Sequence, residues 1–241
     1  MSILPYYGRP VASHGSDTAR VLMAQEAPGP DENAAGIPSV GRQGSNFYRR
    51  ACEIGVPWVL ELQKPGFVWP CYTPDAARLA QLSAREQARL AHRHCILEER
   101  RKYITFTNGF NRWPKPSRNA TKGFVDPRSE DILSEANKAR LRAEVQPQHN
   151  ILLLGGAYAY LAYTGAELAH PSQWEGTRLT KTELDSIEHH LGVRFEHAWY
   201  MGHTRRWHLG EKKALKALKK VAQLAGWMSQ VRTRGSNSKK A

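Results

Sequence analysis

The chain has 241 residues, enough for one large domain or two small ones. A hydrophobic fraction of 41% and a mean hydropathy of −0.58 exclude a protein with many membrane spans, but they are compatible with a single span. The formal net charge of +13 favours polyanionic partners, namely RNA, DNA or an acidic membrane surface.

Residues 1–46 are predicted to form an extended N-terminal arm and linker. No apolar run typical of a secretory signal follows Met1, and Arg9 and Arg20, together with serine and threonine, are compatible with an organellar targeting segment. Residues 24–46 contain three prolines and show neither a helical nor a strand period, which indicates a linker.

Residues 47–150 are predicted to form a helical region with short extended or β segments. Residues 56–62 have the composition of a short strand. The Thr73 hydroxyl and the proline after it predict the start of a helix that ends near Tyr103, before the β-branched sequence ITFT. A further helix is predicted to begin at Ser129, with acidic residues in its first turn, and to stop before the proline at 147.

The uncharged run that starts at Ile151 decides the predicted fold class. A helix rises about 1.5 Å per residue and a bilayer core is about 30 Å thick, so roughly 20 residues are needed to cross it. Residues 151–170 have that length, with Glu167 as their one charged residue, and we predict a transmembrane helix there. Small residues four positions apart predict close packing against other helices; they are Gly155, Ala159, Ala162 and Ala166. The alternative is the buried central helix of a soluble domain.

Residues 171–241 are predicted to form a basic helical C-terminal region. Thr180 and Glu183 form a capping box, and Gly192 closes the helix that they begin. A basic amphipathic helix follows from Glu211 to about residue 231. We expect its lysines to bind acidic lipid or another polyanion; they are Lys212, Lys213, Lys216, Lys219 and Lys220.

A second basic segment, residues 110–124, alternates cations with aromatic residues. Arg112, Lys115 and Arg118 are its candidate contacts to phosphate or to acidic surfaces, and the rings between them could stack on unpaired bases. The alternative is that this segment threads between the subunits of a complex, where the same cations contact acidic proteins or lipid head groups.

The sequence contains no nucleotide-binding, hydrolase or kinase motif, and we predict no catalytic residue and no cofactor. Five histidines cluster between residues 189 and 208, but their spacing matches no strong metal motif, so no metal site is predicted. The three cysteines lack the spacing of a zinc ribbon or a disulfide framework, which indicates a reducing compartment.

These observations predict a mainly α protein with extended N-terminal segments, several amphipathic helices, one transmembrane helix and little independent core. Such a protein would be a non-catalytic accessory subunit of a large mitochondrial inner-membrane complex, in the respiratory chain or ATP synthase. It would act structurally, with other subunits and membrane lipid as partners. Two alternatives stay open: an RNA-binding protein of an organellar ribosome, and a small enzyme with a histidine-lined site.

Overall fold

A five-stranded sheet forms the centre of the protein. The computed structural model describes residues 10–40, 42–62, 98–113, 126–202 and 211–228. Within these ranges the strands are β1 (Val21–Gln25), β2 (Ile104–Asn108), β3 (Ile151–Gly155), β4 (Thr177–Arg178) and β5 (His197–Tyr200). Their order in the sheet is β2-β1-β3-β5-β4. Strands β2, β1, β3 and β5 are parallel to one another, and β4 runs antiparallel to β5.

Helices connect the strands and cover the sheet. Residues 98–101 are helical and precede β2, and a 3₁₀ helix spans Pro171–Trp174. In the same ranges the α-helices are α1 (Pro30–Ala35), α2 (Arg42–Glu53), α3 (Pro57–Leu62), α4 (Ser129–Ile132), α5 (Glu135–Glu144), α6 (Ala157–Thr164), α7 (Lys181–Leu191) and α8 (Glu211–Leu224).

The sheet has an apolar core on each face. Because side chains alternate along a strand, Val21 and Met23 of β1 face one side and Leu22 faces the other. The first side packs against α2, α3 and α8. The second side packs against α4, α5, α6 and α7. The protein is therefore a three-layer α/β/α sandwich.

The predicted transmembrane helix over residues 151–170 is wrong. Its first part is β3, which lies between β1 and β5, and its second part is the buried helix α6. A parallel strand covered on both faces is apolar at every position, so it lacks the alternation that marks a half-buried strand. Within the described ranges, no helix is long and apolar enough to cross a bilayer.

The predicted mainly α fold with little independent core is also wrong, because the protein has an α/β fold. The five-residue strands β1 and β2 lie side by side and are buried along their whole length. VLMAQ was assigned to the N-terminal arm, although its apolar residues are those of an inner strand.

Two shorter predictions also fail in the first half of the chain. The predicted linker contains α1 and the beginning of α2, and the strand predicted over residues 56–62 is mostly helix α3. Pro57 occupies the first position of α3, where its missing N–H would have no helical partner anyway. The short apolar sequence fitted a strand or a helix equally well.

The second half contains the confirmed local predictions. Thr180 caps α7, since its hydroxyl oxygen accepts a hydrogen bond from Glu183 N. In the other direction, the Glu183 carboxylate accepts a hydrogen bond from Thr180 N. Gly192 ends α7 in the left-handed conformation. The basic C-terminal helix begins at Glu211 as predicted, but it ends at Leu224.

Candidate functional site

The carboxyl ends of β1 and β3 form a topological switch point. The chain leaves β1 toward the layer of α2 and α3, whereas it leaves β3 toward α6 in the opposite layer. The two connections diverge, and α/β sheets commonly bind their ligands outside strand ends of this kind. We define this region, with the adjoining ends of β2 and β5, as the carboxyl edge.

Two buried amides lie side by side at the carboxyl edge. Gln25 ends β1, Asn108 ends β2, and the two residues are partners in the strand register. Both residues are 0% exposed. Neither nitrogen nor oxygen of either side-chain amide has a hydrogen-bond partner among the described residues. An unpartnered buried amide costs about 1–3 kcal/mol in proteins, so this pair needs an explanation.

A glycine pair brings the backbone of β3 close to the same edge. Gly155 pairs with Gln25 in register, and Gly156 has a φ of 127°, which side-chain-bearing residues rarely adopt. A Cβ added at Gly156 would lie 2.4 Å from Oε1 of Glu26. Glycine at this position therefore leaves room for a half-buried carboxylate at the switch point.

A buried carboxylate fixes the loop that follows β1. Glu32, only 3% exposed, accepts hydrogen bonds from the backbone N–H groups of Gly29 and Ser39. It therefore joins the two ends of the segment that contains α1. Burial raises the pKa of Glu32 to about 7, although the two backbone donors and the nearby Arg100 act in the opposite direction.

Arg100 connects this loop to the strand that carries Asn108. Its fully buried guanidinium donates to the carbonyl oxygens of Pro38 and Ser39, at 3.2 and 3.4 Å. It also lies 4.7 Å from the ring centre of Phe106, two residues before Asn108. Nδ1 of His14 accepts a further Arg100 hydrogen bond at 3.0 Å, and burial together with this cation lowers the pKa of His14 to about 3.

The backbone at the end of β2 is held from the opposite layer. Arg140 of α5 donates to the carbonyl oxygens of Asn108 and Gly109, at 2.8 and 3.1 Å. Asn137 donates to the Gly109 oxygen at 2.8 Å. A Cβ at Gly109 would lie 2.9 Å from Cα of Ala159, so α6 also packs directly on this turn. The main chain of Asn108 is thus fixed, while its side-chain amide has no partner in the part of the chain that the structure describes.

The residues predicted to pack transmembrane helices have other surroundings. Gly155 ends β3, Ala159 and Ala162 are buried in α6, and Ala166 lies beyond the end of that helix. The small side chains of Ala159 and Ala162 approach the β2 turn at Gly109. They allow a helix to pack closely on a loop of the same chain.

The predicted polyanion-binding residues lie in two places. All five lysines of α8 are exposed. Arg112 is half-buried and follows β2 at the carboxyl edge. Lys115 and Arg118 lie outside the described residues.

The histidines of the cluster lie in different surroundings, and among the described residues no three potential metal ligands converge. His197 lies in β5 and pairs with Arg178 at 2.8 Å, whereas His189 and His190 end α7. His203 and His208 lie outside the described residues.

Sequence reasoning missed the amide pair. Gln25 falls within the predicted N-terminal arm and Asn108 lies just before the basic segment 110–124, so neither is among the predicted site residues. A polar residue directly after a buried parallel strand was the available signal, but it required recognition of the strands first. The chain matches no protein-family model, and no curated protein is significantly similar to it in sequence.

Proposed function

We propose that the protein binds nucleic acid and takes one unstacked base at the carboxyl edge, against Gln25 and Asn108. The observation that carries the proposal is the pair of buried amides whose polar atoms have no partner in the described structure. The accessory-subunit hypothesis depended on a transmembrane helix and loses that basis. RNA binding, its alternative, is kept here in the broader form of nucleic-acid binding.

The chemistry of the amide favours a base over other ligands. Each primary amide presents one acceptor and two donors in a plane. Asn and Gln side chains use this arrangement to pair with base edges, and proteins that extrude a base read its exposed edge inside a pocket. Two adjacent amides fit the mixed donors and acceptors of a heterocycle, whereas a phosphate offers acceptors alone.

Charge and burial also support a nucleic acid. The net charge of +13 attracts a phosphate backbone without regard to base sequence. Because Gln25 and Asn108 are fully enclosed, a base has to displace chain segments at the carboxyl edge before it reaches them. An unpaired or mismatched base is easiest to insert, since less stacking and pairing is lost.

The test measures binding to short single strands, DNA and RNA, that differ only in the central nucleotide, including an abasic one. We expect the strand with the preferred central base to bind at least about tenfold more tightly than the abasic strand, because recognition of a base edge contributes about 1–3 kcal/mol. Asn108→Leu and Gln25→Met, which keep approximate shape, should remove this preference and leave abasic binding unchanged. Gln173→Met, at an exposed amide, is the control.

Two results would overturn the proposal. One is equal affinity for every central nucleotide in the unmodified protein. The other is a base preference that survives in both amide variants.

Glu26 favours a second candidate, hydrolysis of the bond between base and sugar. Its carboxylate lies beside Gly156, at the switch point next to Gln25. There it could accept a proton from water as the water oxygen bonds to the sugar carbon, while the base departs with the electron pair and takes up a proton. Incubation of the DNA strands that carry a central base, followed by alkaline cleavage at any abasic site formed, tests this. Base release lost in Glu26→Gln, with binding retained, supports hydrolysis, and no release by the unmodified protein excludes it.

A further inference from the structure

We infer that the lysine face of α8 carries the nucleic-acid strand away from the carboxyl edge, an inference that rests on the proposed function. The lysine face consists of the exposed residues Lys212, Lys213, Lys216, Lys219 and Lys220. Among the described residues, none forms an ion pair with these ammonium groups. The base site alone does not define the path of the phosphate backbone, and the lysine face supplies that path.

The direction of α8 is fixed by contacts at both of its ends. A Cβ at Gly176 would lie 2.5 Å from the carbonyl of Lys213, so the first turn of α8 packs on Gly176. Gly176 N donates to Tyr200 O at 2.8 Å, at the carboxyl end of β5. At the other end, Arg20, which precedes β1, donates to Leu224 O at 3.3 Å. The helix therefore starts at the carboxyl edge and runs toward the amino ends of the strands.

This placement makes the lysine face a continuous track. The 14 residues of α8 extend over about 21 Å at ~1.5 Å per residue. Lys212 and Lys213 lie in the first turn, near the carboxyl edge, and Lys219 and Lys220 lie two turns further. A strand with one base inserted at the edge can place successive phosphates along this row.

The packing of α8 favours a nucleic acid over a membrane surface. An interfacial helix buries its apolar face among lipid head groups and acyl chains. The apolar residues of α8 are instead buried against the sheet, including Ala214, Leu218 and Val221. The exposed face of α8 is a row of lysine ammonium groups, which can contact phosphates without insertion of the helix into its partner.

The experiment measures the dependence of single-strand affinity on salt concentration. A lysine that contacts a phosphate of a single strand contributes about 0.7 to the slope of log affinity against log salt. Lys212→Gln/Lys213→Gln should reduce the slope by about 1.4, and Lys219→Gln/Lys220→Gln should do the same if the strand follows the whole track. The matched control is Lys181→Gln/Arg194→Gln. Lys181 lies in α7 and Arg194 lies just after it, in the opposite layer, so this variant should leave the slope unchanged.

The preference for the central base separates this inference from the proposed function. We expect both lysine variants to keep the preference, because the amides are untouched, while their overall affinity falls. Unchanged slopes with an intact base preference would overturn the track alone. Equal slope changes in the control variant would overturn it as well, since net charge would then suffice. Loss of binding to vesicles of acidic lipid in the lysine variants, with oligonucleotide binding unchanged, would assign the face to a membrane instead.

Discussion

Two buried polar side chains at opposite ends of the sheet, His149 and Asn108, have opposite surroundings. At the amino end, His149 is 1% exposed, its Nδ1 accepts the N–H of Gln146 at 2.9 Å, and its Nε2 lies 2.9 Å from the Thr105 hydroxyl. At the carboxyl end, Asn108 of the same sheet is equally buried, yet its amide has no partner in the described structure. A fully partnered group stabilises the fold, whereas an unpartnered one destabilises it and is available to a ligand.

The comparison predicts opposite effects of removing polar groups at the two kinds of position. Substitution of a partnered group leaves its partners unsatisfied and lowers the free energy of unfolding. Substitution of an unpartnered amide by an apolar residue of similar shape removes a desolvation cost and raises it.

Arg140→Met should have the largest effect. Arg140 and Glu144 are a nearly buried ion pair at 2.8 Å, with side chains 16% and 11% exposed. Removing the cation leaves Glu144 without its counter-charge and frees the carbonyls at the end of β2, so we expect a loss of about 3–5 kcal/mol in denaturant unfolding. Lys138→Met breaks the exposed pair with Glu135 on the same helix and should cost less than about 1 kcal/mol. Equal losses in the two variants would contradict the account.

His149 should make the fold sensitive to acid. Burial lowers the pKa of its imidazole from 6.5 to about 4, so the unfolded chain binds the proton more readily. The stability that it contributes is complete above pH 6.5 and falls as the pH decreases toward 4, by up to roughly 3 kcal/mol.

Unfolding measured across this interval should show a weaker pH dependence in His149→Gln than in the unmodified protein. The glutamine can accept from Gln146 N and donate to Thr105, so it keeps the contacts without the titration. An unchanged pH profile would show that His149 is not the group responsible.

Gly156→Ala tests the backbone of the carboxyl edge. A residue with a side chain is strained at a φ of 127°, and the new Cβ would lie 2.4 Å from the Glu26 carboxylate. We expect a loss of about 1–3 kcal/mol in stability, together with a weaker preference for the central base. Gly192→Ala, at a φ of 67° with open space around it, should lose about 1 kcal/mol and keep the preference. A larger loss of stability in Gly192→Ala than in Gly156→Ala would contradict the role given to Gly156.

The parts of the fold that the sequence predicted are those decided by local chemistry. The Thr180 capping box and Gly192 at the end of α7 depend on residues within one turn of each other. The sheet depends on pairing between distant segments, and its inner strands carry apolar residues on both faces. Residues 151–155 consequently resembled the first part of a long apolar helix, and only Gly155 and Gly156 marked the break.

The candidate site was less predictable than the fold. Gln25 and Asn108 are separated by 83 positions in sequence, and they meet only because β1 and β2 are neighbours in register. The function proposed for them depends on the absence of partners among the described residues, which composition and spacing do not reveal. The sequence predicts that the lysines of α8 contact a polyanion, and this stays a prediction; their position relative to the proposed base site depends on the direction of the helix, which the sequence does not reveal.

The thermal stability of Asn108→Leu, measured together with its base preference, tests most directly whether this buried amide is available to a base. If the amide is unpartnered in the free protein, the variant should gain about 1 kcal/mol, or about 2–4 °C in Tm, and lose discrimination between the central nucleotide and an abasic one. A fall in Tm by a similar amount with the discrimination retained would show that Asn108 is a structural residue, and the base site would have to be abandoned.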